Sequence, residues 1–218
     1  MSTDNTLSKG HHYAHHFRDA EHEFNTSKFG VWIFLATEIL MFGGLFVGYF
    51  IFQGLYPEIF KAGATHLDWR LGALNTIVLL VSSFTMAMAI YSAQQNKAKA
   101  VVRYLIITSI CAVIFMVVKY FEYTHKFHLG IFPGEMLTYE NPFGKHLGTY
   151  FSFYFCMTGL HGIHVLIGII LIAGWLLPRA MKGEFSREYY TPLEGVGLYW
   201  HLVDLIWIYL FPILYLIG

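Results

Sequence analysis

The chain has 218 residues, of which 56% are apolar, 18% aromatic and 13% charged. Counted with Gly and without Tyr, roughly 58% is apolar against the ~45–50% of soluble domains, and the charged share is about half the usual ~25%. This composition excludes a disordered chain and a disulfide scaffold and argues against a soluble enzyme. With Lys+Arg 14 balanced by Asp+Glu 14, no basic excess marks a nucleic-acid partner.

Residues 1–27 form a polar tail with no apolar core and no small-residue cleavage site, so the tail is not read as a signal peptide. It carries His11, His12, His15, His16 and His22 with Asp19, Glu21 and Glu23 interleaved. A metal site is conceivable there, because imidazole binds zinc and copper; a solvated tail is the preferred reading. Residues 28–218 form one transmembrane domain. Five apolar stretches, about 29–55, 71–94, 101–124, 147–177 and 196–217, each exceed the ~20 helical residues that cross a bilayer core. They are continuous rather than alternating, which argues against barrel strands of ~9–11 residues. The expected fold is all-α, an integral membrane bundle of five helices.

Nine Lys and Arg flank the spans on the side of the amino terminus and four on the other, with Lys119 inside the third span. The positive-inside rule then places the amino terminus in the cytoplasm and, after five crossings, the carboxyl terminus outside. Cys111 and Cys156 lie in apolar runs, where free cysteine packs as a small hydrophobe.

Ionisable groups inside hydrocarbon cost about 2.5–3.5 kcal/mol each on insertion scales, so each requires a reason. Glu38 lies in the first span with Phe34, Leu35, Met41 and Phe42 as its helical neighbours, none of which neutralises it. It is therefore protonated, paired with another helix or turned to a protein interface. Two roles stand open: a carrier or supporter of protons, or a neutral acid hydrogen-bonded for packing. His161 and His164, three apart in the fourth span, project from one face, and Gly159 and Gly162 allow close helix approach. His201 and Asp204 repeat that spacing in the fifth span, where the carboxylate can support the imidazole. Depth along the helices suggests that spans one, four and five share a polar cluster. The histidines are too few, and the Cys too isolated, for a haem or copper centre, so they read as members of an interhelical hydrogen-bond network. Lys119 and Glu122, at i,i+3 near the end of the third span, neutralise each other or snorkel to the interface. The five Trp and many Tyr read as interface belts or packing anchors.

The segments FLATEILMFGGLFVGYF, LNTIVLLVSSFTMAMA, KYFEYTHKF, TYFSFYFCMTGLHGIHVLIG and GLYWHLVDLIWIYLF, in this order, resemble subunit III of the haem–copper oxidases in its short, five-helix bacterial form. The resemblance spans residues 29–218 and leaves the His-rich tail outside. It implies a non-catalytic subunit of a terminal oxidase in the bacterial cytoplasmic membrane. Haem and copper are expected in partner subunits and no cofactor in this chain. Subunit I is the implied main contact, with subunit II and further respiratory subunits as other implied partners. Phospholipid is implied in a cleft between helices 1–2 and the remaining bundle. Glu38 falls where the family carries its buried, carbodiimide-reactive carboxylate. His161 and His164 match its paired histidines, Trp200, His201 and Asp204 its WHxxD element, and Glu122 with Tyr123 its Glu–Tyr pair. Lys119 stands where the family commonly has Gln. The implied role is support of assembly, lipid retention and proton uptake by subunit I. Alternatives are subunit III of a quinol oxidase, the related protein accompanying nitric oxide reductases or, in another class, an independent proton or ion transporter.

Overall fold

The computed structural model describes residues 20–132, 146–187 and 189–217, with side chains from residue 25 onward. His11, His12, His15 and His16, and the side chain of His22, lie outside the described residues. In chain order the helices are α1 (Ala20–Leu55), α2 (Pro57–Ala64), α3 (Trp69–Gln94), α4 (Ala98–His128), α5 (Leu147–Ile169), α6 (Leu177–Met181) and α7 (Thr191–Tyr215). A π-helical segment, Ile170–Leu176, joins α5 to α6 without a break. Five helices are long and apolar enough to cross a membrane: Asn25–Leu55, Trp69–Gln94, Ala98–His128, Leu147–Met181 and Thr191–Tyr215. At 1.5 Å per residue even the 25-residue last span reaches ~38 Å, longer than a ~30 Å hydrocarbon core.

Two elements depart from the expected boundaries. The last third of the polar tail is not a separate segment, because α1 already begins at Ala20. The first connection contains α2, an amphipathic helix with Pro near its start that buries Phe60 and Gly63. Tyr150 of α5 covers Gly63 so closely that a Cβ there would overlap its ring.

Each long helix buries a seam of alternating three- and four-residue steps, the pattern that points one helix face at its neighbours. On α4 the seam is Val101, Leu105, Thr108, Ala112, Phe115, Lys119, Glu122 and Lys126. On α3 it runs Gly72, Asn75, Leu79, Ser82, Met86, Ala89 and Ala93. These two seams face each other in a hairpin closed at Asn96, whose φ of 56° is a left-handed value that Asn tolerates. The Asn96 side chain accepts the Arg187 backbone N–H at 2.8 Å. α7 lies at the centre against α1, α3 and α5, and carries the largest buried side chains, Trp200 and Trp207. Glycine makes that position possible: the Trp200 ring occupies the space where Gly168 of α5 lacks a Cβ. α1 is the least enclosed span, burying only Leu35, Phe42 and Tyr49 along a narrow seam that also includes Glu38.

Contacts at the two ends show that successive spans alternate in direction. Lys28 pairs with Glu194 at 2.7 Å, joining the start of α1 to that of α7. At the opposite end the Tyr49 hydroxyl donates to the Ile213 carbonyl at 3.1 Å, and the Tyr150 hydroxyl to Leu214 at 2.8 Å. The Lys126 ammonium donates to the His66 carbonyl at 3.2 Å. α4 and α6 end in the same way, with Gly130 (φ 69°) and Gly183 (φ 72°) in the left-handed region. The following N–H groups of Ile131 and Glu184 reach back to Lys126 and Arg179.

Candidate functional site

Glu38 finds its partner on another helix. Its Oε2 lies 2.8 Å from Nε2 of His164 on α5, with both side chains largely enclosed. The second ring nitrogen of His164, Nδ1, lies 2.7 Å from the Leu160 carbonyl. A carbonyl only accepts, so Nδ1 carries hydrogen and donates to it. The contact between Nε2 and Oε2 then holds one proton, which resides either on the carboxylic acid or on the imidazolium. The pair is neutral as a unit in both arrangements, so a carboxyl group is kept within the span without a net charge. Phe42 packs edge-on to the His164 ring at 5.4 Å, and the Tyr199 hydroxyl of α7 donates to the His164 carbonyl at 2.9 Å. These contacts fix the imidazole in position.

The single cluster expected from spans one, four and five divides into separate sites. His161 does not join Glu38 or any hydrogen-bond network. It is buried against Phe115 (5.5 Å) and Trp207 (5.2 Å), and neither ring nitrogen meets a partner among the described residues. Three residues correspond to about 60° around a helix at 3.6 residues per turn. α5 packs against α1, α4 and α7, and that angle turns His164 to Glu38 of α1 and His161 to Phe115 of α4 and Trp207 of α7. Nor does Asp204 hold His201. The His201 ring pairs through Nδ1 with Ser83 of α3 at 2.7 Å, while Asp204 Oδ2 is 3.5 Å from the Ser82 hydroxyl. Ser82 itself donates more closely to the Leu79 carbonyl, at 2.7 Å, and receives the Trp200 indole N–H at 3.1 Å. The second span thus supplies the partners. Uncharged serines give no signal in a search for ionisable groups, although the seam spacing of Asn75 and Ser82 marks them as inward-facing.

Glu122 is the centre of the most enclosed ionic group. Its Oε1 accepts from Tyr215 at 2.6 Å and Tyr154 at 2.8 Å, and its Oε2 from Lys119 at 2.9 Å. Lys119 donates further to the Tyr215 oxygen at 2.7 Å and lies over the Trp207 ring at 4.5 Å. The local i,i+3 pairing occurs as expected, but not by snorkelling: both side chains are under a tenth exposed and joined to α5 and α7. Tyr123 pairs with Thr158 of α5 at 2.5 Å, and His125 points outward. Among the described residues no three His, Cys, Asp or Glu side chains converge as a metal ligand set.

The family profile described as cytochrome c oxidase subunit III matches residues 7–218. The chain belongs to the cytochrome c oxidase subunit III family. The match begins within the His-rich tail, further toward the amino terminus than the motif resemblance at 29–218. A protein named "Probable quinol oxidase subunit 3" from Staphylococcus saprophyticus is 33% identical over 207 residues, covering 95% of this chain and 96% of that protein. "Cytochrome c oxidase subunit 3" from Synechocystis is 32% identical over 219 residues, covering 100% of this chain and 85% of the relative. The protein of the same name from Thermostichus vulcanus is 30% identical over 188 residues, covering 86% of each. Subunit III chains of both oxidase types are therefore similar to this one along nearly their whole length.

Proposed function

We propose that this chain is the subunit III of a bacterial cytochrome c oxidase that supports proton entry into its catalytic partner. It has no redox centre of its own; subunit I holds the haems and copper and is the main contact. The observation that carries this reading is the Glu38–His164 pair, which shares one proton between α1 and α5 on the flank of the bundle. Within such a pair the proton moves along one hydrogen bond, between the acid–imidazole and carboxylate–imidazolium forms, with no net charge buried in either.

The amino terminus lies in the cytoplasm and the carboxyl terminus outside, in the bacterial cytoplasmic membrane. In support, Lys28, Lys97, Lys99, Arg103, Arg179, Lys182 and Arg187 all lie at or near the end of the bundle where α1, α4 and α7 begin, against Lys61, Arg70 and Lys126 at the other. Phospholipid chains lie along α1, whose Trp32, Ile33, Leu40, Val47 and Ile51 form a continuous exposed apolar flank beside the Glu38 seam.

The test is Glu38→Gln in the assembled oxidase. Glutamine donates to the lone pair on His164 Nε2 and keeps the helix contact, but carries no transferable proton. Haem content unchanged with impaired sustained proton-coupled turnover supports the proposal; turnover equal to that of the wild type refutes it. The names of the staphylococcal relatives favour a second reading, a quinol oxidase. A partner subunit II with paired copper-binding cysteines selects cytochrome c as donor, and one without them selects quinol.

A further inference from the structure

We propose that the interior between α3, α4, α5 and α7 is a binding site for a file of ordered water, distinct from the Glu38–His164 pair. Three buried polar side chains there lack partners among the described residues: both amide atoms of Asn75, both ring nitrogens of His161, and Oδ1 of Asp204. Asn75 and His161 are fully enclosed and Asp204 is 2% exposed.

The three come from the three helices α3, α5 and α7 that meet at Trp207. Trp207 of α7 packs on His161 of α5 at 5.2 Å, lies under the Lys119 ammonium of α4 at 4.5 Å, and donates its indole N–H to Thr76, the neighbour of Asn75 on α3. Asp204 lies three residues before Trp207 on α7, about 4.5 Å along the axis. The polar positions therefore form successive levels, from His201 with Ser83, through Asp204, to Asn75 and His161, and on to the ionic group at Glu122.

Native interiors leave very few buried polar atoms unpaired. Asn75 needs both donors and acceptors, His161 one of each and Asp204 a donor. No side chain present supplies this mixture, whereas water, with two hydrogens and two lone pairs, supplies all of it. The three sites lie on core seam positions, where an apolar residue would pack without penalty, and their grouping in one interior points to a common ligand; the other unpartnered buried atom among the described residues, Glu194 Oε2, lies at the α1–α7 end beside Lys28.

X-ray hydroxyl-radical footprinting of the purified oxidase in water labelled with oxygen-18 tests this, because bound water oxidises the side chains that it touches. Normalised to intrinsic reactivity, Trp207 and Phe115 should be labelled several-fold more than Phe60. Phe60 is equally inaccessible but is enclosed by the rings of Tyr49, Tyr150 and Phe153. Asn75→Leu should abolish the excess at Trp207 and lower the Tm of the complex, since water loses a partner. Labelling of Trp207 no greater than that of Phe60 overturns the proposal, as does an Asn75→Leu variant with raised Tm, the result expected when an unpaired amide is removed from a dry core. If the variant does not assemble, the wild-type ratio of Trp207 to Phe60 decides alone.

Discussion

Replacing Lys119 by Met removes the cation from the Glu122 group and preserves much of its volume. In the wild-type chain the Glu122 carboxylate accepts three hydrogen bonds, one from Lys119 and two from tyrosines. After the change the two tyrosine bonds persist, but the carboxylate, 5% exposed, has lost the cation bonded to it. Breaking a buried pair from one side costs about 3–5 kcal/mol. Lys126, 5.3 Å from the Tyr154 ring that bonds Glu122, leaves some positive charge nearby and favours the lower figure. The expected loss is therefore ~3 kcal/mol, roughly two orders of magnitude in the folding equilibrium at 1.4 kcal/mol per tenfold. Lys119→Met with Glu122→Gln removes both charges and should recover most of that loss, because neither is left uncompensated. Denaturation of the purified complex in graded SDS, read for both variants, gives the comparison. A Lys119→Met change below about 1 kcal/mol, or a double variant less stable than Lys119→Met alone, would refute the view that this pair is buried and mutually dependent.

Glu38→Leu should be worse than Glu38→Gln: it strands His164 Nε2 without a partner at a penalty of about 1–3 kcal/mol, visible as a lowered Tm, whereas Gln keeps the bond. Gly168→Ala should destabilise the complex by about 1–3 kcal/mol, since the Trp200 ring is held by its bond to Ser82 and has nowhere to move; thermal unfolding measures it. Ser83→Ala removes the His201 contact and should lower stability by about 0.5–1.5 kcal/mol in the same assay.

Which parts of this structure were readable in advance follows from what each part depends on. The five spans depend on local composition, and the structure extends each by only a few residues at most ends, where polar side chains still continue the helix. The inward position of Glu38 is also local: with Leu35 and Phe42 it follows the seam of α1. Pairing is not local. His161 and His164 share a spacing that suggests one face, but their partners are set by how α5 sits between α1 and α7, and only His164 reaches a carboxylate. His201 and Asp204 look like a self-sufficient pair, yet Ser82 and Ser83 of α3 compete for them successfully. Helix α2 gives little signal in the sequence because its eight residues hold one short apolar face, defined mainly by the Tyr150 ring that covers Gly63. Tyr154 and Tyr215, on two other helices, could not be assigned to Glu122 from spacing at all, since they lie 32 and 93 residues away from it.

The central claim is that this chain works as a subunit III, through packing and proton sharing, while the redox chemistry lies in its partners. Purification of the tagged chain in mild detergent, with identification of co-purifying subunits and an optical spectrum before and after their separation, tests it most directly. The account predicts a large co-purifying subunit, haem absorbance in the complex and none in the isolated chain. Haem retained by the isolated chain, or a chain that purifies alone and carries gradient-driven proton flux in vesicles, would contradict it.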